Sequence, residues 1–256
     1  MTFRVAPASF CALMAVLLLG ACATRQASTT RDPDSGSRLR VASAAEASGQ
    51  YDVALSLYAS AAAAEPGNAE VQARFASALA RSGNHAQAED VLNRALDRHP
   101  NSASLLVALG RLRLRANAPE EGLALFERVL VGAPRDVAAL SGRGVALDLL
   151  GRHEDAQRSY RSALAIAPRD VAAANNLAMS LMLLGRTEEA MTILEPLARQ
   201  PGAPSRVVTN LAIARAASGD RQAAQTLVGE GGGTETLDAI LRGLASDAAV
   251  DPPGHG

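Results

Sequence analysis

Small and bulky apolar residues recur along the chain with a period of 34 residues. The small residue is Ala in five periods and Gly in one: Ala54, Ala88, Gly122, Ala156, Ala190 and Ala224. A bulkier apolar residue follows each by four positions: Tyr58, Leu92, Phe126, Tyr160, Leu194 and Val228. Residues four apart share one face of an α-helix. The pattern predicts a helix in every period, with its small residue at a close approach to a neighbouring helix, where a larger side chain would overpack.

A second series of small residues predicts another helix earlier in each period: Ala42, Ala76, Gly110, Gly144, Ala178 and Ala212. Between the two helices the same spacing places a residue that tolerates left-handed backbone: Gly49, Gly83, Asn117, Gly151, Gly185 and Gly219. Proline ends four of the periods, because it disfavours helix in the residue before it: Pro66, Pro100, Pro134 and Pro168. Each period is therefore a helix–turn–helix unit.

A helix–turn–helix unit of 34 residues resembles the tetratricopeptide repeat. The predicted fold is all-α, a right-handed α-solenoid of about six such repeats over residues 38–230. The predicted units are 35–68, 69–102, 103–136, 137–170, 171–204 and 205 to about 230. Residues 231–256 are expected to form a capping helix, whose apolar stripe includes Leu237 and Leu244, and a disordered tail.

The N-terminus predicts export and lipid attachment. Arg4 precedes an apolar stretch, Val5–Leu19, that is too short for a comfortable membrane span. It ends in Leu19-Gly20-Ala21-Cys22, which resembles a bacterial lipobox. Residues 1–21 are then a signal peptide, and Cys22 carries the acyl chains that anchor the protein. An ordinary secretory signal or a short signal anchor is the alternative for this segment.

Residues 22–37 are polar and contain Pro33 and Gly36, which predicts a flexible tether between anchor and repeats. The residue after Cys22 is Ala23 and not Asp, and this favours the outer membrane of a Gram-negative bacterium. The expected location is therefore the outer membrane, lipid-anchored and facing the periplasm.

Charge argues against nucleic acid as a partner. The chain has 25 basic and 26 acidic side chains, a net charge of −1, and all its basic residues are Arg. There is thus no global positive field to attract a polyanion. Its two cysteines, Cys11 and Cys22, both lie near the N-terminus, so the repeats hold neither a disulfide nor a cysteine metal site.

Within the repeats, residues 144–170 and 175–227 resemble the tetratricopeptide lipoproteins of the Flp pilus, or tight adherence, assembly system (TadD-like). The features that carry this resemblance are the paired Asn175-Asn176, the run Leu194–Ala198 and the restart Asn210–Ala212. The resemblance implies an outer-membrane lipoprotein that helps assemble the pilus apparatus, with a pilotin-like role for its secretin. Pilus secretin or other pilus assembly components are the implied partners.

No arrangement of residues predicts catalysis, a bound metal or a cofactor, so we do not expect an enzyme. His85 and His153 occupy one repeat position and are expected to be solvated at helix starts. His153 begins a zincin-like motif that lacks its second His. The sequence Gly142-Arg143-Gly144 resembles part of a dinucleotide fingerprint, but it lies within a predicted helix with no strand before it.

Two functions remain open. One is a scaffold whose concave face, lined by the first helices, binds a partner through Arg74, Asn175, Asn176, Arg206 and Asn210. Asn and Arg side chains suit a peptide backbone or a carboxylate. The other is an adaptor or structural spacer for another envelope complex, in which the Asn residues serve repeat packing.

Overall fold

The structure is a computed structural model that describes residues 35–229 of the 256-residue chain. Within that range it contains twelve α-helices and no strand. They are α1 (Ser35–Ala47), α2 (Tyr51–Ala64), α3 (Ala69–Arg81), α4 (His85–Arg98), α5 (Ala103–Arg115), α6 (Pro119–Gly132), α7 (Val137–Leu149), α8 (His153–Ile166), α9 (Val171–Leu183), α10 (Thr187–Ala198), α11 (Ser205–Ala217) and α12 (Arg221–Val228). The predicted all-α solenoid of six helix pairs is confirmed.

Several predicted segments lie outside the described residues: the signal peptide with Cys22, residues 22–34 of the tether, and the capping helix with its tail at 231–256. Helix α1 begins at Ser35, so residues 35–37, which the sequence placed in the tether, are helical. Among residues 35–229, none of the helices combines the length and apolar character that crossing a bilayer requires.

The predicted turn positions are confirmed by their backbone angles. The φ angles of the five turn glycines lie between 70° and 92°, and that of Asn117 is 57°. These values are in the left-handed region, which only Gly and, less often, Asn adopt without large strain. Asn117 is the only non-Gly residue with positive φ among those described.

Helix starts explain how one unit passes into the next. In three units, the residue two positions after the repeat proline caps the following helix with its side chain. These residues are Asn68, Asp136 and Asp170. The Asp136 carboxylate, for example, accepts a hydrogen bond of 2.8 Å from the backbone N–H of Ala139. Such a cap satisfies backbone donors that have no partner within the helix.

The odd-numbered helices form the inner layer of the solenoid, and the even-numbered helices form the outer layer. Consecutive inner helices from α3 to α11 contact one another, and each contacts the outer helix of its own unit. The small residues of the outer helices lie at these contacts, and their exposure is 1% or less at Ala54, Ala88, Ala156, Ala190 and Ala224. Close helix packing therefore accounts for the alanine-rich repeat pattern.

Three glycines of the inner helices lie directly against an aromatic ring of an outer helix. A Cβ added at Gly142 would lie 2.4 Å from the ring of Phe126, and one added at Gly110 would lie 2.8 Å from it. A Cβ at Gly144 would lie 2.4 Å from the ring of Tyr160. Gly142 and Gly144 are thus packing residues. Arg143 between them is half-buried and donates from Nε to Ser159 Oγ at 3.0 Å.

A polar cluster around Asp148 joins units four and five. The Asp148 carboxylate accepts hydrogen bonds from His153 Nδ1 at 2.9 Å, Tyr160 Oη at 3.0 Å and Ser180 Oγ at 2.7 Å. These donors belong to helices α8 and α9, while Asp148 is on α7. The expectation that His153 is solvated is wrong, because only 20% of its side chain is exposed and its Nδ1 is bonded to Asp148. His85 is exposed, as expected.

We expect Tyr160 to make stability pH-dependent in the alkaline range. Burial, together with the Asp148 carboxylate, raises the pKa of Tyr160 above its ordinary value of 10.0. The phenol ionises near pH 10 in the unfolded chain but stays neutral in the folded one. Its contribution is therefore complete below pH 10 and is lost above it, at about 1.4 kcal/mol per pH unit.

The measurement is urea unfolding of the wild type and of Tyr160→Phe at about pH 8.5 and about pH 11. The stability difference between the two proteins should shrink, or reverse, at the higher pH. Tyr51→Phe, at an exposed position, is the control. A difference that stays constant with pH would contradict the prediction.

Candidate functional site

The inner helices of the first four units line a groove of about 910 Å³. It is an open surface cavity whose walls come mainly from α1, α3, α5 and the start of α7. The charged and hydroxyl residues that line it are Ser43, Glu46, Tyr51, Tyr58, Glu70, Arg74, Ser77, Arg81, Ser104, Arg111 and Asp136. A groove of this kind along a solenoid is suited to an extended polypeptide.

Ion pairs hold most of the charges at one end of the groove. Arg74 Nε lies 2.8 Å from Glu70, and Arg81 Nη2 lies 2.8 Å from Glu46. Glu46 also accepts a hydrogen bond of 3.0 Å from the hydroxyl of Tyr58. The Arg81–Glu46 pair crosses from α3 to α1, so these side chains have fixed positions along the groove wall.

Arg111 is a cation of the groove that forms no direct ion pair. Within residues 35–229 the structure gives its guanidinium neither a hydrogen bond nor an ion pair. Its side chain is exposed but lies inside a concave surface, and the loss of hydration there lowers the pKa of Arg111. The positive charge of Arg115, one turn further along α5, lowers it as well, whereas the carboxylates of Asp136 and Asp170 act in the opposite direction.

Beyond the groove, one position of the concave face carries leucine in two successive units. Ala47 and Arg81 line the groove, and the equivalent positions of units four and five are Leu149 and Leu183. These leucines are large apolar side chains that nevertheless remain 54% and 42% exposed. This position of the inner surface therefore changes to an exposed leucine in units four and five.

The four residues predicted to form a partner groove lie further along the solenoid, in units five and six. Asn210 Nδ2 donates to Asn175 Oδ1 at 2.9 Å, so the structure brings these two side chains together. Asn175 is buried, Asn176 is half-buried and Arg206 is exposed. In the described part of the chain no hydrogen bond or ion pair joins Arg206 to the Asn residues. Arg74, the fifth predicted residue, lies in the groove of the first units.

Sequence reasoning did not single out Arg111 or the groove that contains it. The signal was present in the repeat, because Ser43, Ser77 and Arg111 occupy one position in successive units and all line the groove. A comparison of charge at this repeat position would have shown Arg111 where the two preceding units have a serine hydroxyl.

The described residues offer no metal centre: between 35 and 229, no three His, Cys, Asp or Glu side chains lie close enough together to hold an ion.

Comparison with solved structures gives the same architecture. A tetratricopeptide repeat protein from Parabacteroides merdae matches with a TM-score of 0.61 and 17% identity, over 86% of this chain and 89% of that one. A thermophilic TPR protein from Thermus thermophilus matches with a TM-score of 0.62 and 23% identity, over 70% and 98%. PilW, a widely conserved type IV pilus biogenesis factor, matches with a TM-score of 0.61 and 22% identity, over 81% and 94%. At these identities the likeness concerns the fold.

No curated protein matches the chain significantly. The family comparison does give a match, because tetratricopeptide repeats are recognised at residues 45–109, 82–144 and 149–207. These ranges cover more than half of the chain and agree with the helix pairs and left-handed turns described above. The chain belongs to the tetratricopeptide repeat family.

Proposed function

We propose that this protein is a membrane-anchored scaffold for protein–protein assembly of the Flp, or tight adherence, pilus apparatus, and that it binds its partner along the concave face. The observation that carries the proposal is the groove of about 910 Å³ lined by the inner helices. Tetratricopeptide arrays are protein–protein interaction scaffolds. The proposal assigns no catalytic step to the protein.

The groove supports the binding role because its polar groups are arranged for contact with a chain. Ser43, Ser77 and Ser104 line the same groove as Arg81 and Arg111, so hydroxyl and guanidinium groups share one surface. Such groups can pair with the backbone and side chains of an extended partner. Asn176 and Arg206, further along the same face, would extend this contact into units five and six.

The pilus assignment rests on the resemblance of residues 144–170 and 175–227 to the tight adherence lipoproteins. The fold shared with PilW shows that a pilus biogenesis factor uses the same architecture. A pilotin-like role for the secretin is the finer form of the proposal. The second candidate is a general envelope lipoprotein that acts as adaptor or spacer for another outer-membrane or secretion complex; the lipobox-like segment at Leu19–Cys22 favours it equally.

Blocking the groove tests the binding role. Ser104→Trp places a large ring in the groove, whereas Val131→Trp places the same ring on α6 at a position that is 87% exposed. The measurement is co-purification of the pilus secretin and assembly proteins from detergent-solubilised envelopes. We expect Ser104→Trp to reduce capture by about tenfold or more and Val131→Trp to leave it unchanged.

Two outcomes would contradict the proposal in different ways. Capture that survives Ser104→Trp in a folded protein would move the interface away from the concave face. Capture of other envelope proteins, with no enrichment of pilus components, would favour the adaptor or spacer.

Replacing the acceptor cysteine tests the anchor. Cys22→Ser removes the thiol that would take the lipid, so the protein should appear in the soluble periplasmic fraction or remain unprocessed. Cys11→Ser, within the predicted signal peptide, is the matched control. Incorporation of a fatty-acid probe into the Cys22→Ser protein would show that the anchor assignment is wrong.

A further inference from the structure

The concave face combines an unpaired cationic site with an exposed apolar strip on neighbouring helices. Arg111 and Arg115 are on α5, Leu149 is on α7 and Leu183 is on α9. Helices α5 and α7 are in contact, and so are α7 and α9. One ligand lying across these three helices would therefore meet both chemistries.

The cationic site calls for an anionic group. Arg111 and Arg115 are one helical turn apart, and like charges at that spacing repel each other. In the part of the chain that the structure describes, no acidic side chain forms an ion pair or hydrogen bond with either of them, although the carboxylates of Asp136 and Asp170 are near enough to oppose the lowering of the pKa of Arg111. The Arg74 and Arg81 side chains nearby are already paired with Glu70 and Glu46. A carboxylate of a bound partner would reduce this repulsion and accept hydrogen bonds from the Arg111 guanidinium.

The apolar strip, formed by Leu149 and Leu183, suits apolar side chains of a ligand. At the position of Leu149 and Leu183, the other units carry Ala47, Arg81, Arg115 and Ala217. Units four and five thus differ from the rest in presenting leucine at an exposed place. Exposed leucine side chains next to one another gain stability when a ligand removes them from water.

The spacing of the helices relates these two features. Packed helices lie about 8–10 Å apart, so α9 is about 16–20 Å from α5 along the inner surface. An extended chain rises about 3.3 Å per residue, so about five or six residues span this distance, and about three reach Leu149 on the intervening helix α7. On the basis of the proposed groove function, we propose that the concave face recognises an extended partner segment. In this segment an acidic residue, bound by Arg111 and Arg115, lies about three to six residues from the apolar side chains that cover Leu149 and Leu183.

The test uses the purified full-length protein in detergent and fluorescent peptides about ten residues long. The first peptide has Asp-Glu near one end and a pair of leucines, the Leu-Leu pair, at about three and about six residues further on, with Gly, Ser and Thr between them; a second has the reverse order. In the control peptides Asn-Gln replaces Asp-Glu, or Ser-Ser replaces Leu-Leu. We expect one order of the acidic–apolar peptide to bind at least about tenfold more tightly than both controls, with an affinity that falls as salt is added.

Matched protein variants locate the contacts. Arg111→Gln should weaken binding of the acidic peptide by about tenfold or more and remove most of its advantage over the Asn-Gln control. Arg94→Gln removes the same charge from an exposed position on α4, and it should have little effect. Leu183→Ser should weaken binding of the Leu-Leu peptide but not of the Ser-Ser control, whereas Val131→Ser on α6 should change neither.

Equal binding of acidic and neutral peptides, or equal effects of Arg111→Gln and Arg94→Gln, would overturn the inference. So would a rise in affinity when the five acidic residues of 230–256 are neutralised, since this chain's own C-terminal segment would then occupy the groove. If these peptide results are negative while Ser104→Trp still abolishes partner capture, only the proposed ligand chemistry fails. If capture survives Ser104→Trp, the concave binding site itself fails.

Discussion

Replacing Gly142 by Ala is expected to lower the free energy of unfolding by about 2–3 kcal/mol, because the added methyl group overpacks a filled interface. The new Cβ would lie 2.4 Å from the Phe126 ring, which is completely buried and has Gly110 on α5 as a second close contact. The ring therefore has no free space into which to move. The higher helix propensity of Ala offsets about 1 kcal/mol of the cost. Urea unfolding followed by circular dichroism measures the change.

Gly132→Ala is the matched control, because a Cβ at this position of α6 would have no neighbour within 4 Å. It should be neutral or slightly stabilising, through helix propensity alone. The double variant Gly142→Ala/Phe126→Leu should recover part of the loss, since a smaller side chain makes room for the methyl group. If Gly142→Ala is as harmless as Gly132→Ala, the interface is looser than the structure indicates.

Replacing Asp148 by Ala is expected to lower the free energy of unfolding by about 3–5 kcal/mol, because several buried groups lose their acceptor together. The hydroxyls of Tyr160 and Ser180 and the Nδ1 of His153 all donate to this carboxylate. Tyr160 and Ser180 are almost completely buried, so water cannot easily replace the lost bonds. Equilibrium urea unfolding gives the magnitude.

Asp97→Ala is the control for loss of one negative charge from an exposed helix position, on α4. Its effect should be within about 0.5 kcal/mol. The loss of stability in Asp148→Asn should lie between those of Asp97→Ala and Asp148→Ala. The amide keeps one acceptor oxygen, but its NH₂ group is a donor that faces other hydrogen-bond donors. Equal stabilities of the Asp148→Ala and Asp97→Ala proteins would show that the cluster adds nothing to the fold.

The helices and turns could be predicted from the sequence because their causes are local. The left-handed turn at Asn117 follows from the few residue types that tolerate positive φ, and the burial of Ala156 follows from its place in the repeat. A period repeated six times makes such inferences robust, since each unit confirms the others.

The polar cluster could not be predicted, because its members become neighbours only when three helices pack. Ser180 lies 32 residues from Asp148, and nothing in the residues around either one indicates the contact. The error at His153 has the same origin, since its position at a helix start predicts solvation and only the fold supplies Asp148 as partner.

The candidate site was predicted in part. The concave face and Arg74 were identified from the repeat, whereas the cavity itself depends on side-chain volumes in successive inner helices. Asn175 and Asn210 contact one another, which sequence reasoning could anticipate only as proximity of adjacent units. Arg206 is the exposed member of that group, whereas Asn176 and Asn210 are half-buried.

The inner helices divide their residues between two tasks. Small residues such as Ala76 and Ala178 are buried between helices, while Ser43, Ser77 and Arg111 vary in chemistry at one position that faces the groove. A substitution in the second set alters the surface without disturbing the first. The binding specificity of the array can therefore change at one repeat position while the packing between helices is kept. Recognition can in this way diverge between related proteins that share the same architecture.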